Sequence, residues 1–114
     1  MDPLVLIMVN ARGRNDAERI GEGLVEQHLA ASCSVIPTVH SFYYSEGQLM
    51  REHEALLLVK TVESRAKAVH EFVRANYSSE LHDIIQVAIE GGSLAYLEWV
   101  VDQVTEPPPG PDGT

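Results

Sequence analysis

Glu80, His82 and Asp83 lie in and just after a polar stretch, Asn76 to His82, that precedes a short apolar run. An imidazole beside two carboxylates is a donor set for a transition metal such as copper or zinc. The bland alternative is a solvated loop, since clustering without geometry says little about binding. A second charged group is Arg51-Glu52-His53-Glu54. In an extended strand Glu52 and Glu54 share one face while Arg51 and His53 share the other. A metal site there needs a ligand from a second strand; otherwise these are charges on an exposed hairpin. Phe42, Tyr43 and Tyr44 either line a cleft between subunits or pack the hairpin that carries them. Lys60, beside Thr61 at the expected start of a helix, suits an anionic ligand at the helix N-terminus or a salt bridge to a neighbouring carboxylate.

Cys33 is the single cysteine of the 114 residues. It has no internal disulfide partner and cannot form a multi-cysteine zinc site. Placed after a helix C-terminus, it meets a dipole that disfavours the thiolate, and it reads as a buried small residue in a reduced, cytoplasmic protein. No Ser-His-Asp order, phosphate loop or HExxH is present. No catalytic residue is assigned, and the chain is not expected to be an enzyme.

The formal charge of -9 comes from 17 acidic and 8 basic residues. It argues against nucleic acid, whose phosphates need clustered Lys and Arg, and against an anionic membrane surface. A cation or a basic partner fits better, though acid also serves solubility. Met1 to Asn10 lacks the basic region and cleavage pattern of a signal peptide, and no apolar run is long enough to span a bilayer.

The elements that would position these residues follow in order. Leu4 to Val9 is a continuous apolar run, expected as a strand buried on both faces. Asn15, with Glu18 three residues on, predicts a capped helix carrying Ala17, Ile20, Leu24, Leu29 and Ala31. Gly21 and Gly23 would let it approach a sheet. Ser34 to Tyr44 and Gln48 to Lys60 form a long hairpin around Ser45-Glu46-Gly47, with Pro37 marking a bulge or an edge. Thr61 caps a second helix with the stripe Ala66, Val69, Phe72 and Val73. Ile84 to Ile89 is a short strand. Ser93 caps a third helix carrying Leu94, Leu97, Val101 and Val104 on one side. The order β-α-β-β-α-β-α predicts an α+β, ferredoxin-like double βαβ sandwich over residues 1–105. Both main helices lie on one face of a four-stranded antiparallel sheet. Residues 106–114, rich in Pro and Gly, form a disordered tail. The sheet's other face would stand bare in a monomer, and two further copies would cover it.

Leu29-Ala30-Ala31, Ile36-Pro37, Ser41, Tyr43, Glu46-Gly47, the junction Leu56-Leu57-Leu58-Val59-Lys60-Thr61, Ile84-Ile85, Gly92, Tyr96-Leu97 and Trp99 occur in one order with almost no shift. Together they resemble the CutA family of divalent-cation tolerance proteins. The resemblance implies a homotrimer with its sheets packed inward, and kinship to the PII signalling fold with ligands in clefts between subunits. It also implies a role in metal response with copper binding. On these terms the ligand cleft comprises Tyr43, Tyr44, Lys60, Glu80 and Trp99. The family's usual metal ligands do not carry over. Val9 and Ser32 stand where cysteines are common, with Cys33 displaced by one. Ser45 replaces a tryptophan. Tyr77 to Asp83 retains only Glu80 of the segment His-Pro-Tyr-Glu-Val-Pro-Glu. The reading is a CutA-like, non-catalytic trimer associated with divalent metal response. The alternatives are a PII-like module binding a nucleotide or small metabolite, and a structural trimer anchoring a partner through its tail.

Overall fold

The computed structural model describes residues 1–77 and 83–105. Its elements are β1 (Leu4–Ala11), α1 (Arg14–Glu26), β2 (Ser32–Ser45), β3 (Gln48–Val62), α2 (Glu63–Asn76), β4 (Ile84–Ala88) and α3 (Leu94–Thr105). The four strands form one sheet in the order β2-β3-β1-β4. Every neighbouring pair is antiparallel. This is the expected double βαβ arrangement: each helix crosses over a strand inserted between the two that it connects.

The alternation along the central strands decides which face is which. Val5, Ile7, Val9 and Ala11 of β1 and Ala55, Leu57 and Val59 of β3 are buried. With Ala17, Ile20 and Leu24 of α1 and Ala66, Val69 and Val73 of α2 they make the main core. Leu6 and Met8, between them in sequence, are only half-buried. β1 is therefore covered on one face in the single chain, not on both, because both crossover helices pack on the same side. A second cluster closes one end of the sheet, where Val100 and Val104 of α3 meet Leu4, Ala31 and Val62. Of the stripe expected on α3, Val104 is buried and Leu97 and Val101 pack beside it, while Leu94 is 64% exposed and Val100 is buried in addition. The last carbonyls of α3 are bonded from outside the helix: Arg65 Nε donates to Val104 O at 2.9 Å, and His28 Nδ1 lies 3.1 Å from Gln103 O. Such partners satisfy carbonyls that a helix end leaves free.

Several local expectations change. α1 begins one residue after Gly13, with no side-chain cap, so Asn15 lies inside the helix. It ends at Glu26, which leaves Leu29 and Ala31 beyond it. Thr61 belongs to β3 and does not cap α2; Val62 holds the N-cap position. The fully buried Thr61 hydroxyl donates to Leu29 O at 2.6 Å and ties the α1–β2 connection to β3. A Cβ on Gly21 would sit 3.0 Å from Leu57 Cδ1, so this glycine does admit the sheet. One on Gly23 would sit 2.6 Å from Phe72 Cζ, so that glycine admits α2 rather than the sheet.

The β2–β3 hairpin turns through Glu46 and Gly47, both at positive φ (52° and 77°). Two such residues match the right-handed twist of the strands they join. The register shifts between Ile36 and Val39, at Pro37 on the sheet's outermost strand. Beyond this bulge the side-chain alternation of β2 is reset. Val39, Ser41 and Tyr43 continue the uncovered face, and His40, Phe42 and Tyr44 continue the helix-side face.

Candidate functional site

The uncovered sheet face is apolar. Met8 lies between Leu58 and Ile85 in the pairing, Leu6 between Lys60 and Val87, and Ile36 stands opposite Leu56. Ile36 is 42%, Ile85 54% and Val87 43% exposed. Branched side chains on adjacent strands form a continuous patch of a kind that marks an interaction surface.

At one end of this face stands Lys60, opposite Ser32 on β2 and Leu6 on β1. α3 brings Tyr96 across it. Lys60 Nζ is 3.4 Å from Tyr96 Oη and 5.4 Å from the ring centroid. Ser32 Oγ lies 3.5 Å from the same phenol oxygen. Trp99, one helical turn on, stacks on Tyr96 with centroids 5.6 Å apart. The Ser32 contact above all, helped by the Lys60 ammonium, holds the Tyr96 phenol below its ordinary value against the opposing effect of burial. The rim thus offers one cation, two hydroxyls and an aromatic shelf, a set suited to an anionic ligand with a flat ring. Lys60 lies on the face away from α1 and α2, and the helix it meets is α3, through Tyr96 in that helix's first turn. Among the described residues no carboxylate pairs with it, and a phenol takes that place.

At the other end, Tyr43 Oη donates to Glu52 Oε1 at 2.7 Å, which raises the Tyr43 phenol. Asn10 Nδ2 reaches Glu54 Oε1 at 3.4 Å. Phe42, Tyr43 and Tyr44 are all exposed, Tyr44 at 76%, so they do not pack the hairpin within one chain. Met50, the partner of Tyr43, lies ten positions from Lys60 along β3, about 33 Å at about 3.3 Å per residue. A cleft holding Tyr43 or Tyr44 together with Lys60 and Trp99 therefore needs residues from different copies. Glu80 and His82 lie outside the described residues. Asp83 is exposed, and its carbonyl accepts the Asn10 N–H at 3.1 Å. Among the described residues no group of three or more His, Cys, Asp or Glu is placed to hold a metal ion.

On the hairpin's opposite face His40 and His53 pair directly and stack, with centroids 4.3 Å apart and planes at 17°. The Arg51 guanidinium lies 5.0 Å over Phe42 in the next rung. Cys33 is the second residue of β2 and does not follow a helix end directly. Its thiol faces α1 in a groove of 660 Å³ shared with Glu18, Glu22, Glu26 and Val35. Burial, not a helix dipole, pushes it up to about 12. Ser32, Tyr96 and His40 are participants that the sequence alone did not assign to a binding site. Helical spacing already paired Tyr96 with Trp99, and counting back equally from the Glu46-Gly47 turn sets His40 opposite His53.

The profile described as CutA1 divalent ion tolerance protein matches residues 5–103. The chain belongs to the CutA1 divalent ion tolerance family. It is similar to a Xenopus laevis protein described as Protein CutA homolog, 42% identical over 79% of this chain and 60% of that protein. It is also similar to the divalent-cation tolerance protein CutA of Thermus thermophilus, 33% identical over 88% of this chain and 95% of that one. The crystal structure of CutA1 from Oryza sativa superposes with a TM-score of 0.86 at 31% identity, covering 90% of this chain and 94% of that chain. The chain spans 54% to 60% of the length of the first plant and frog relatives it matches. The CutA1 match covers every element built above, from β1 to α3. Among the described residues no helix is long and apolar enough to cross a membrane.

Proposed function

We propose that the chain assembles as a homotrimer through its uncovered sheet face and serves, without catalysis, in the response to divalent metal ions. A metal such as copper or zinc, or a small ligand, would bind in clefts between copies, in a reducing cytoplasm that suits free Cys33. The observation that carries this reading is the apolar face of β1, β3 and β4, which one chain leaves open beside a polar, aromatic rim. Family membership supports the metal role through the names its relatives bear. Chelator-stripped protein titrated with copper, zinc and nickel in a calorimeter should release saturable heat; background heat with all three ions would sink the metal reading.

The Lys60–Tyr96–Trp99 rim favours a second reading, a PII-like module binding a nucleotide or small metabolite. Melting scans with ATP, ADP and AMP test it, because a ligand of the native state raises the midpoint by mass action. No shift with any of them would leave the rim without a nucleotide. The reading as a structural trimer anchored through its tail falls on residues outside those described.

A further inference from the structure

We infer that His40 and His53 form a two-imidazole site for a borderline transition-metal ion on the helix-side face of the β2–β3 hairpin, within a single chain. The two residues are direct cross-strand partners. Their rings lie 4.3 Å apart at 17°, so both imidazoles already project from the same spot in the same direction. Metal–imidazole bonds of about 2.0–2.1 Å place the two nitrogens of a tetrahedral site about 3.3 Å apart. Small rotations about χ1 and χ2 bring stacked rings to that spacing and turn their lone pairs together. Imidazole donors select copper, nickel and zinc over magnesium and calcium, with Cu(II) bound most strongly. Water would fill the remaining positions, since the site is exposed.

The surroundings hold the pair in place and supply cations to it. Ala55, two residues from His53 on the same face, is fully buried and anchors β3 at the base of the hairpin. The register is fixed on one side by the two-residue turn and on the other by the bulge. Metal affinity gains from such rigid mounting. Arg51 shares the face, but its guanidinium sits over Phe42, 5.0 Å from that ring. Glu52 and Glu54 lie on the reverse face of the same strand, and the net charge of -9 raises the local concentration of divalent cations. The site differs from the sequence group Glu80, His82 and Asp83. It rests on the metal-response reading but adds a place for an ion apart from the clefts between copies, and it needs no second copy.

The full chain, freed of metal with a chelator, would be titrated with Cu(II) and Ni(II) by calorimetry, with pulsed electron paramagnetic resonance on the Cu(II) form. One ion per chain should bind, with couplings from imidazole nitrogen. His40→Ala and His53→Ala should each weaken binding at least tenfold, and His70→Ala, a change elsewhere, should not. Circular dichroism and sedimentation of each variant verify that fold and assembly are kept. Absence of binding to the unaltered chain overturns the site. Binding that survives both substitutions also overturns it, while leaving the broader metal-response reading standing. A chain that proves monomeric yet loses metal with either histidine would sink the trimer reading and uphold this one.

Discussion

Alkylation of Cys33 reports directly on how the chain presents its single thiol. Burial beside α1 raises that thiol from 9.0 to about 12. Only the thiolate attacks an alkylating reagent, and its fraction falls tenfold for each unit of pKa above the working pH. At pH 8 the folded chain therefore holds about 10³-fold less thiolate than the unfolded chain. Iodoacetamide should label native protein about 10³ times more slowly than protein in guanidinium, followed by mass spectrometry of the intact chain. The same shift corresponds to about 4 kcal/mol, at about 1.36 kcal/mol per unit. Because the folded-state value is the higher one, this stabilisation is complete below pH 9 and is lost as the pH rises from 9.0 towards about 12. A metal that requires the thiolate meets the same penalty, so Cu(II) and zinc should leave the labelling rate unchanged. A native rate within tenfold of the unfolded rate would refute the inward placement of Cys33, and strong protection by zinc would make it a ligand.

Other expectations follow from named contacts. Thr61→Val keeps the shape but leaves the Leu29 carbonyl without its donor, and should cost about 1–3 kcal/mol in urea unfolding at fixed protein concentration; a loss below about 0.5 kcal/mol, the usual range for surface changes, would deny the bond a structural role. Leu58→Glu sets a carboxylate in the middle of the uncovered face, where assembly would bury it unpaired at a cost of several kcal/mol; sedimentation should then find monomers with an unchanged circular dichroism spectrum, and an intact trimer would exclude that face as the interface. Tyr96 is lowered by Ser32 and Lys60, so it should ionise below the ordinary tyrosine value near 295 nm, and Lys60→Met should move it back up. Since the folded-state value is depressed, any contribution to stability appears as the pH rises through it and is lost as the pH falls; a phenol unmoved by Lys60→Met would contradict the contact.

The strand and helix order was legible because the strands carry short apolar runs and the helices carry stripes at helical spacing. The runs at Leu4 to Val9, Ala55 to Val59 and Ile84 to Val87 are short and branched, and the helical stripe of Ala66, Val69 and Val73 lies as expected. Helix starts were less legible. Asn15 and Thr61 have the chemistry of caps, but Gly13 and Val62 hold those positions, because the buried Thr61 hydroxyl meets a stronger demand from the Leu29 carbonyl. The facing of β1 was misread because a run of apolar residues does not say whether a chain or its neighbour covers the second face. At the rim, Lys60 and Trp99 were visible as types, while Ser32 and Tyr96 join them only through the register of β2 with β3 and the packing of α3. Tyr43 and Tyr44 stand apart from that rim in one chain, a separation that strand length sets and composition does not reveal.

Sedimentation equilibrium of the full chain at micromolar concentration tests the central claim most directly. A single species of three times the chain mass is the result predicted by an uncovered face that other copies close. A monomer at that concentration would contradict the account, and with it every cleft built from more than one copy.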